Sequence, residues 1–179
     1  MKWHISHNML RPLFEYDCLV LGCGNPLIGD DGFGPAVIRQ LEEAYAIPES
    51  VACIDVGTSV RDILFDLILS EKKPRRIIIV DAADSPGIAP GEIREITIGQ
   101  IQPAKSCDFS LHQFPTTNML KELQEETAID VRVFVVQVAG LPDEVMPGLS
   151  APVQSAIPRM CARIMAEIGS TPDSGGSHD

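Results

Sequence analysis

The sequence lacks a long apolar run, a CxxC cysteine pair and a recognisable secretion signal. A helix that crosses a bilayer needs roughly 18 consecutive apolar residues, and no stretch of the chain approaches that length. Residues 1–17 contain no apolar segment followed by a small-residue cleavage site. Five cysteines without paired spacing are typical of free thiols in a reducing compartment. We therefore predict a cytoplasmic protein with no membrane partner.

Basic side chains are also scarce. The chain has 14 Lys and Arg residues against 25 Asp and Glu residues, so its formal net charge is -11. A protein of this charge repels polyanions, and its densest basic stretch, SEKKPRR at 70–76, is better interpreted as a solvated loop. We predict no nucleic-acid partner.

The chain does have a large apolar fraction. Its 179 residues are 45% hydrophobic and 22% charged, which excludes a disordered chain and a coiled coil. The length suits one domain with a single core. We expect an N-terminal arm at 1–17, one α/β domain at 18–169 and a disordered tail at 170–179.

Apolar strand-like runs alternate with amphipathic helical patterns along this domain. Strands are expected at 18–24, 51–57, 75–84, 91–98 and 131–140, and helices at 36–46, 59–70, 116–127 and 151–169. Four strands are apolar, as in a parallel sheet covered on both faces, whereas 91–98 alternates like an edge strand. The pattern predicts an α/β three-layer sandwich: a twisted, mostly parallel five-stranded sheet with one antiparallel edge strand and helices on both faces. Pro158 predicts a kink or a late start in the last helix.

Folds of this class bind ligands outside the carboxyl ends of their strands. The first strand ends in a GxG, Gly22 to Gly24, which suggests dinucleotide binding only weakly because the third glycine of a Rossmann loop is missing. Asp30 and Asp31 precede the first helix, where they would repel phosphate. We predict no nucleotide cofactor.

Carboxylates and an imidazole fall on three loops at that edge. Asp30 and Asp31 follow the first strand, Asp81 ends the third, and His112 lies in an irregular segment before the third helix. Taken singly, the aspartates can cap a helix or close an Asx turn, and the histidine can be a surface residue. Two carboxylates, one imidazole and water also form a ligand set for Zn²⁺, Ni²⁺ or Mn²⁺. A Cys107–His112 dyad is an alternative, while no serine lies in a GxSxG context.

Four blocks of the sequence carry a family resemblance. They are LVLGCGNPLIGDDGFGP, IIIVDAADSPGIAPGEI, the histidine of SLHQF, and AGLPDEVMPGLSAPVQSAIP, in that order within residues 18–168. These blocks resemble the maturation endopeptidases of [NiFe] hydrogenases, and the run GxGNxLxxDDGxG is specific for that family. The first block and the Pro-rich last block are most similar in sequence to the branch that serves coenzyme F₄₂₀-reducing hydrogenases, whose members are sometimes labelled a delta subunit.

The resemblance implies a peptidase domain with a metal-binding catalytic set of two carboxylates and one imidazole, in a loop shaped by two glycines and an asparagine. On this chain the set is Asp31, Asp81 and His112, and the loop residues are Gly22, Gly24 and Asn25. The implied substrate and partner is the nickel-loaded large-subunit precursor of a hydrogenase, which loses a C-terminal extension in one cut. Its nickel would be the recognition element, and a divalent metal could also bind at the site. The alternative is a non-catalytic delta subunit.

Overall fold

A five-stranded sheet in the order β2-β1-β3-β5-β4 forms the centre of this computed structural model, which describes residues 12–97 and 114–170. Four strands are parallel, and β4 pairs antiparallel to β5 at the edge. The strands are β1 (Cys18–Cys23), β2 (Val51–Gly57), β3 (Arg76–Ala83), β4 (Ile93–Ile96) and β5 (Asp130–Gln137). The helices are α1 (Phe33–Ala44), α2 (Val60–Leu69), α3 (Phe114–Glu126) and α4 (Ala151–Gly169). The predicted sheet and its antiparallel edge strand are confirmed.

Two apolar layers, one on each face of the sheet, hold the helices. Leu19 and Leu21 of β1 belong to the layer that contains α2 and α3, whereas Val20 belongs to the layer with α1 and α4. Side chains alternate between faces along a strand, so β1 must be apolar at every position when both faces are covered. Within the described residues, no helix combines the length and apolarity needed to cross a membrane.

Three details differ from the sequence-based expectation. Helix α1 begins at Phe33 rather than at residue 36, directly after a 3-10 turn at Gly29–Gly32. Strand β3 continues to Ala83, so Asp81 lies inside the strand and does not close it. Helix α4 begins at Ala151 and contains Pro158, so the late start is wrong.

The amino edge of the sheet is closed by residues 12–17 and by α4. Tyr16 is buried in the core, and the Asp17 carbonyl accepts hydrogen bonds from the backbone N–H groups of Arg75 and Arg76. The buried Arg76 side chain donates to Asp130 Oδ2 at 2.7 Å and to Ser170 Oγ at 2.8 Å. Part of the predicted arm is therefore packed on the domain; residues 1–11 and the tail from 171 lie outside the described residues.

The strand order creates a crevice at the opposite edge. From β1 the chain crosses to β2 on one side, and it returns to β3 on the other side, so β1 and β3 are neighbours with diverging connections. Such a topological switch point is where open α/β sheets bind ligands. Helix α3 ends close to the start of β5, so the N-terminal end of the helix lies toward the same carboxyl edge.

Candidate functional site

The loop after β1 folds around the carboxylate of Asp31. This side chain is 6% exposed, and its Oδ2 accepts a hydrogen bond from the backbone N–H of Asn25 at 2.7 Å. The Asn25 side-chain oxygen Oδ1 accepts a hydrogen bond from the N–H of Leu27 at 3.0 Å. The Asn25 backbone carbonyl accepts one from the N–H of Ile28 at 3.0 Å. Asn25 thus shapes the loop through three bonds and fixes the orientation of the Asp31 carboxylate.

Two glycines allow this loop and α1 to approach the sheet. Gly24 has a φ of +120°, and a Cβ there would lie 1.9 Å from the Asp31 carbonyl oxygen. A side chain at Gly24 would push Asp31 out of position. Gly22 faces α1 instead, where a Cβ would lie 2.6 Å from the carbonyl oxygen of Gly34. Gly24 therefore serves the Asp31 loop, and Gly22 serves the packing of the helix that follows it.

Asp81 lies fully buried on β3, beside the end of β1. Gly22 pairs with Val80, so Cys23 and Asp81 occupy the next positions on the two adjacent strands. The Asp81 Oδ1 accepts a hydrogen bond from the backbone N–H of Ala82 at 2.8 Å. This bond holds the carboxylate at the switch point rather than in an Asx turn that closes the strand.

Asp31 and Asp81 both lie near Cys23, and the 3-10 turn that contains Asp31 packs against β3, which contains Asp81. Burial raises the pKa of this thiol well above its usual range, and the nearby carboxylates of Asp81, Asp55 and Asp31 raise it further. Negative charges from the loop after β1 and from strands β2 and β3 thus act on one buried sulfur. A negative potential of this kind attracts a divalent cation, and carboxylate oxygens are suitable ligands for one.

Two of the three predicted ligands, Asp31 and Asp81, are among the described residues, and both lie near Cys23. His112 and Cys107 lie outside the described residues, so the imidazole and the alternative dyad stay predictions. Among the described residues, no group of three or more His, Cys, Asp or Glu side chains is arranged to hold a metal ion. The predicted third ligand, His112, precedes α3 in the sequence, and the N-terminal end of that helix lies toward the carboxyl edge of the sheet.

Asp30 has a role that the sequence did not indicate. Its Oδ2 accepts from the backbone N–H of Ala139 at 2.8 Å and from the Ser150 hydroxyl at 2.9 Å, while its Oδ1 accepts from the Ser150 N–H at 2.6 Å. The expected helix cap is wrong, since Gly32 is the N-cap of α1 and makes no side-chain cap bond. Asp30 instead fastens both ends of segment 139–150. No local spacing signals this, because the partners lie 109 and 120 positions away.

Comparisons with known proteins match most of the chain to one family. The model of the HycI family, described as hydrogenase maturation protease, matches residues 35–167. Hydrogenase 2 maturation protease of Escherichia coli is 27% identical over 152 residues, covering 84% of this chain and 89% of that protein. The solved structure of the hydrogenase maturating endopeptidase HybD from E. coli has a TM-score of 0.70 and 25% identity, covering 85% of this chain and 91% of that chain.

Another relative is described as a hydrogenase subunit rather than as a protease. The coenzyme F₄₂₀ hydrogenase subunit delta of Methanothermobacter thermautotrophicus is 36% identical, covering 87% of this chain and 97% of that protein. The chain belongs to the hydrogenase maturation protease family and is a protease. The resemblance read from the four sequence blocks is confirmed.

Proposed function

We propose that this protease removes the C-terminal extension from the nickel-loaded large-subunit precursor of a [NiFe] hydrogenase. The observation that carries the proposal is that Asp31 and Asp81 both lie near the buried Cys23, at the switch point between β1 and β3, with the turn of Asp31 packed against β3. Family membership supplies the reaction class, which is peptide hydrolysis during hydrogenase maturation. The similarity to a coenzyme F₄₂₀ hydrogenase subunit makes the precursor of an F₄₂₀-reducing hydrogenase the first substrate to test.

The two carboxylates, with His112 as the third ligand, bind the nickel carried by the substrate. Each carboxylate is already oriented by one backbone N–H, from Asn25 for Asp31 and from Ala82 for Asp81. Such preorganisation lowers the cost of ligand binding at the moment the precursor arrives. A divalent ion next to a peptide bond can polarise the carbonyl or activate a water, and a carboxylate not engaged with it can act as general base.

This arrangement makes the cut conditional on metal loading. A precursor without nickel leaves the carboxylates with no cation to bind, so it gains nothing from their negative potential. A loaded precursor receives two or three ligand bonds that also place its scissile peptide at the crevice. The site residues thus discriminate between finished and unfinished substrate.

The decisive experiment is the mass of the large-subunit precursor before and after incubation with this protein. Nickel-loaded precursor should lose one C-terminal peptide, and precursor treated with a chelator should keep its mass. A loaded precursor that stays intact would contradict the proposed protease substrate. Cleavage of metal-free precursor at the same rate would contradict the role of nickel.

The description of the Methanothermobacter relative supports one alternative, a non-catalytic delta subunit. A subunit stays in the mature hydrogenase at fixed stoichiometry, whereas a maturation protease leaves after the cut. Purification of the mature complex from cells that contain a tagged form of this chain distinguishes the two. Stoichiometric retention, together with an unchanged precursor mass, would favour the subunit.

A further inference from the structure

Three large apolar side chains are exposed beside the candidate site. Leu27 is 50% exposed, Val145 69% and Met146 58%. Leu27 lies in the loop that carries Asp31, and the other two lie in segment 139–150 between β5 and α4. We call these three residues the apolar rim. Exposed apolar side chains grouped in this way mark protein-binding surfaces more often than a scattered distribution does.

The backbone beneath the apolar rim is held in place at several points. The N–H of Met146 donates to the Leu27 carbonyl at 2.9 Å, and the N–H of Gly29 donates to the Met146 carbonyl at 2.9 Å. Asp30 fastens both ends of the same segment, at Ala139 and Ser150. The apolar rim is therefore preformed, and a partner that covers it pays little for ordering the loop.

We infer that the apolar rim binds the segment of the precursor next to the scissile bond, an inference that rests on the proposed function. The rim is continuous with the substrate site, because Leu27 is two residues from Asn25, whose N–H orients the Asp31 carboxylate. A polypeptide whose metal reaches Asp31 and Asp81 extends across the adjacent rim. The apolar side chains of the precursor would be buried against Met146, whose flexible thioether adapts to uneven surfaces.

Charge beside the apolar rim indicates the chemistry of the bound segment. Asp143 and Glu144 are exposed immediately before Val145. The chain as a whole carries a net charge of -11. A segment with apolar residues next to Lys or Arg complements both features, and its basic residues would speed association.

Serine substitutions in the apolar rim test the inference through substrate affinity. Leu27→Ser and Met146→Ser should each raise the KM for nickel-loaded precursor, and its Kd measured by direct binding, by about tenfold. The kcat should stay within twofold, because neither side chain orients a carboxylate. Leu69→Ser is the matched control: Leu69 is 68% exposed but ends α2 at the opposite edge of the sheet. It should leave both constants unchanged.

Charge reversal tests the chemistry of the segment. Asp143→Lys and Glu144→Lys should each slow cleavage about threefold at low salt, and the difference should shrink at high salt. An unchanged KM and Kd in both rim variants would overturn the inference. So would a wild-type dimer that Met146→Ser dissociates with no loss of precursor affinity, since the rim would then bind a second copy of this chain.

The two proposals fail in different ways. If wild type binds the precursor through the apolar rim but never cuts it, the inference stands and the proposed function fails. If wild type and the rim variants cut equally well with equal Kd, the proposed function stands and the inference fails.

Discussion

The two edges of the central sheet differ in the charges that they bury: opposite charges at the amino edge and like charges at the carboxyl edge. At the amino edge, the guanidinium of Arg76 binds Asp130 Oδ2 at 2.7 Å and also contacts the last turn of α4 through Ser170. Opposite charges and helix carbonyls there stabilise the fold. At the carboxyl edge, the buried Asp31 and Asp81 have the same sign and act on the same thiol.

Strand β1 connects the two edges and ends in a cysteine at each. Burial raises the pKa of Cys18 to about 12, and the charge of Arg76 acts against that rise. Burial also raises the pKa of Cys23, but there the neighbouring carboxylates add to the rise. At Cys18 the charges of Asp130 and Asp17 also add to the rise, so the two ends of the strand differ in the cation that Arg76 supplies at the amino edge. Grouped like charges cost stability, so their presence at a ligand-binding edge indicates function, whereas the ion pair between Arg76 and Asp130 indicates a structural role.

The largest expected effect is on activity at the carboxyl edge. Asp31→Asn and Asp81→Asn should each reduce precursor cleavage by at least about 1000-fold, because an amide is a poor ligand and supplies no negative charge. Neither should lower the melting temperature, since each removes one of two like charges. The measurements are a precursor mass assay and thermal unfolding. His112→Ala should behave in the same way.

An aspartate elsewhere provides the control for these variants. Asp66→Asn changes an exposed residue of α2 and should leave cleavage unchanged. Wild-type rates in Asp31→Asn would show that the ligand set is wrong. A large loss of stability in that variant would show that the carboxylate is structural, and the contrast between the edges would disappear.

The amino edge should respond in the opposite manner. Arg76→Ala removes a buried cation and the hydrogen bonds that it donates to Asp130, Glu167 and Ser170, which should cost about 3 kcal/mol of unfolding free energy. Cleavage by the folded protein at low temperature should be unchanged. Arg75→Ala is the matched control, since the neighbouring Arg75 is exposed and should cost less than about 0.5 kcal/mol. Denaturant titration measures both; equal stability of the two variants would contradict a structural role for Arg76.

Sequence patterns predicted this architecture well because it depends on local regularities. Apolar runs identified the parallel strands, and alternation at 91–98 identified the antiparallel edge strand at Ile93–Ile96. The order of strands in the sheet brings Asp31 near Asp81, and a sequence shows only that both follow apolar runs. The anchoring role of Asp30 was beyond the sequence, because it depends on contacts with segment 139–150, more than 100 positions away.

Asp30, the neighbour of Asp31 at the carboxyl edge, should respond to substitution differently from Asp31. Asp30→Asn replaces an acceptor of three hydrogen bonds by an amide whose NH₂ must face a backbone donor, at a cost of about 2 kcal/mol. Asp30 also fastens the segment that carries Val145 and Met146, so the KM should rise more than the kcat falls.

Ser150→Ala isolates one of the bonds that Asp30 accepts. It removes only the hydroxyl, keeps the backbone bond at 2.6 Å, and should cost about 1 kcal/mol. Denaturant titration and steady-state kinetics measure both variants. If Asp30→Asn were as stable as wild type but inactive, Asp30 would belong to the catalytic set and not to the loop anchor.

The smallest expected effect is an alkaline destabilisation from the amino edge. Cys18 has a pKa of about 12 in the folded protein, against an ordinary value of 9.0. The native state therefore keeps a proton that the unfolded chain loses, so this contribution is complete below pH 9 and disappears as the pH rises toward 12. Its slope is about 1.4 kcal/mol per pH unit between the two pKa values, and about 1.4 kcal/mol is lost at pH 10 relative to neutral pH. Cys23, Cys53 and Cys161 also have raised pKa values and contribute slopes of the same sign. Cys18→Ala should therefore have a shallower slope than wild type, whereas Val20→Ala, a truncation on the same strand, should retain the full slope. Equal slopes in wild type and Cys18→Ala would mean that the thiol beside Arg76 ionises as readily as in the unfolded chain.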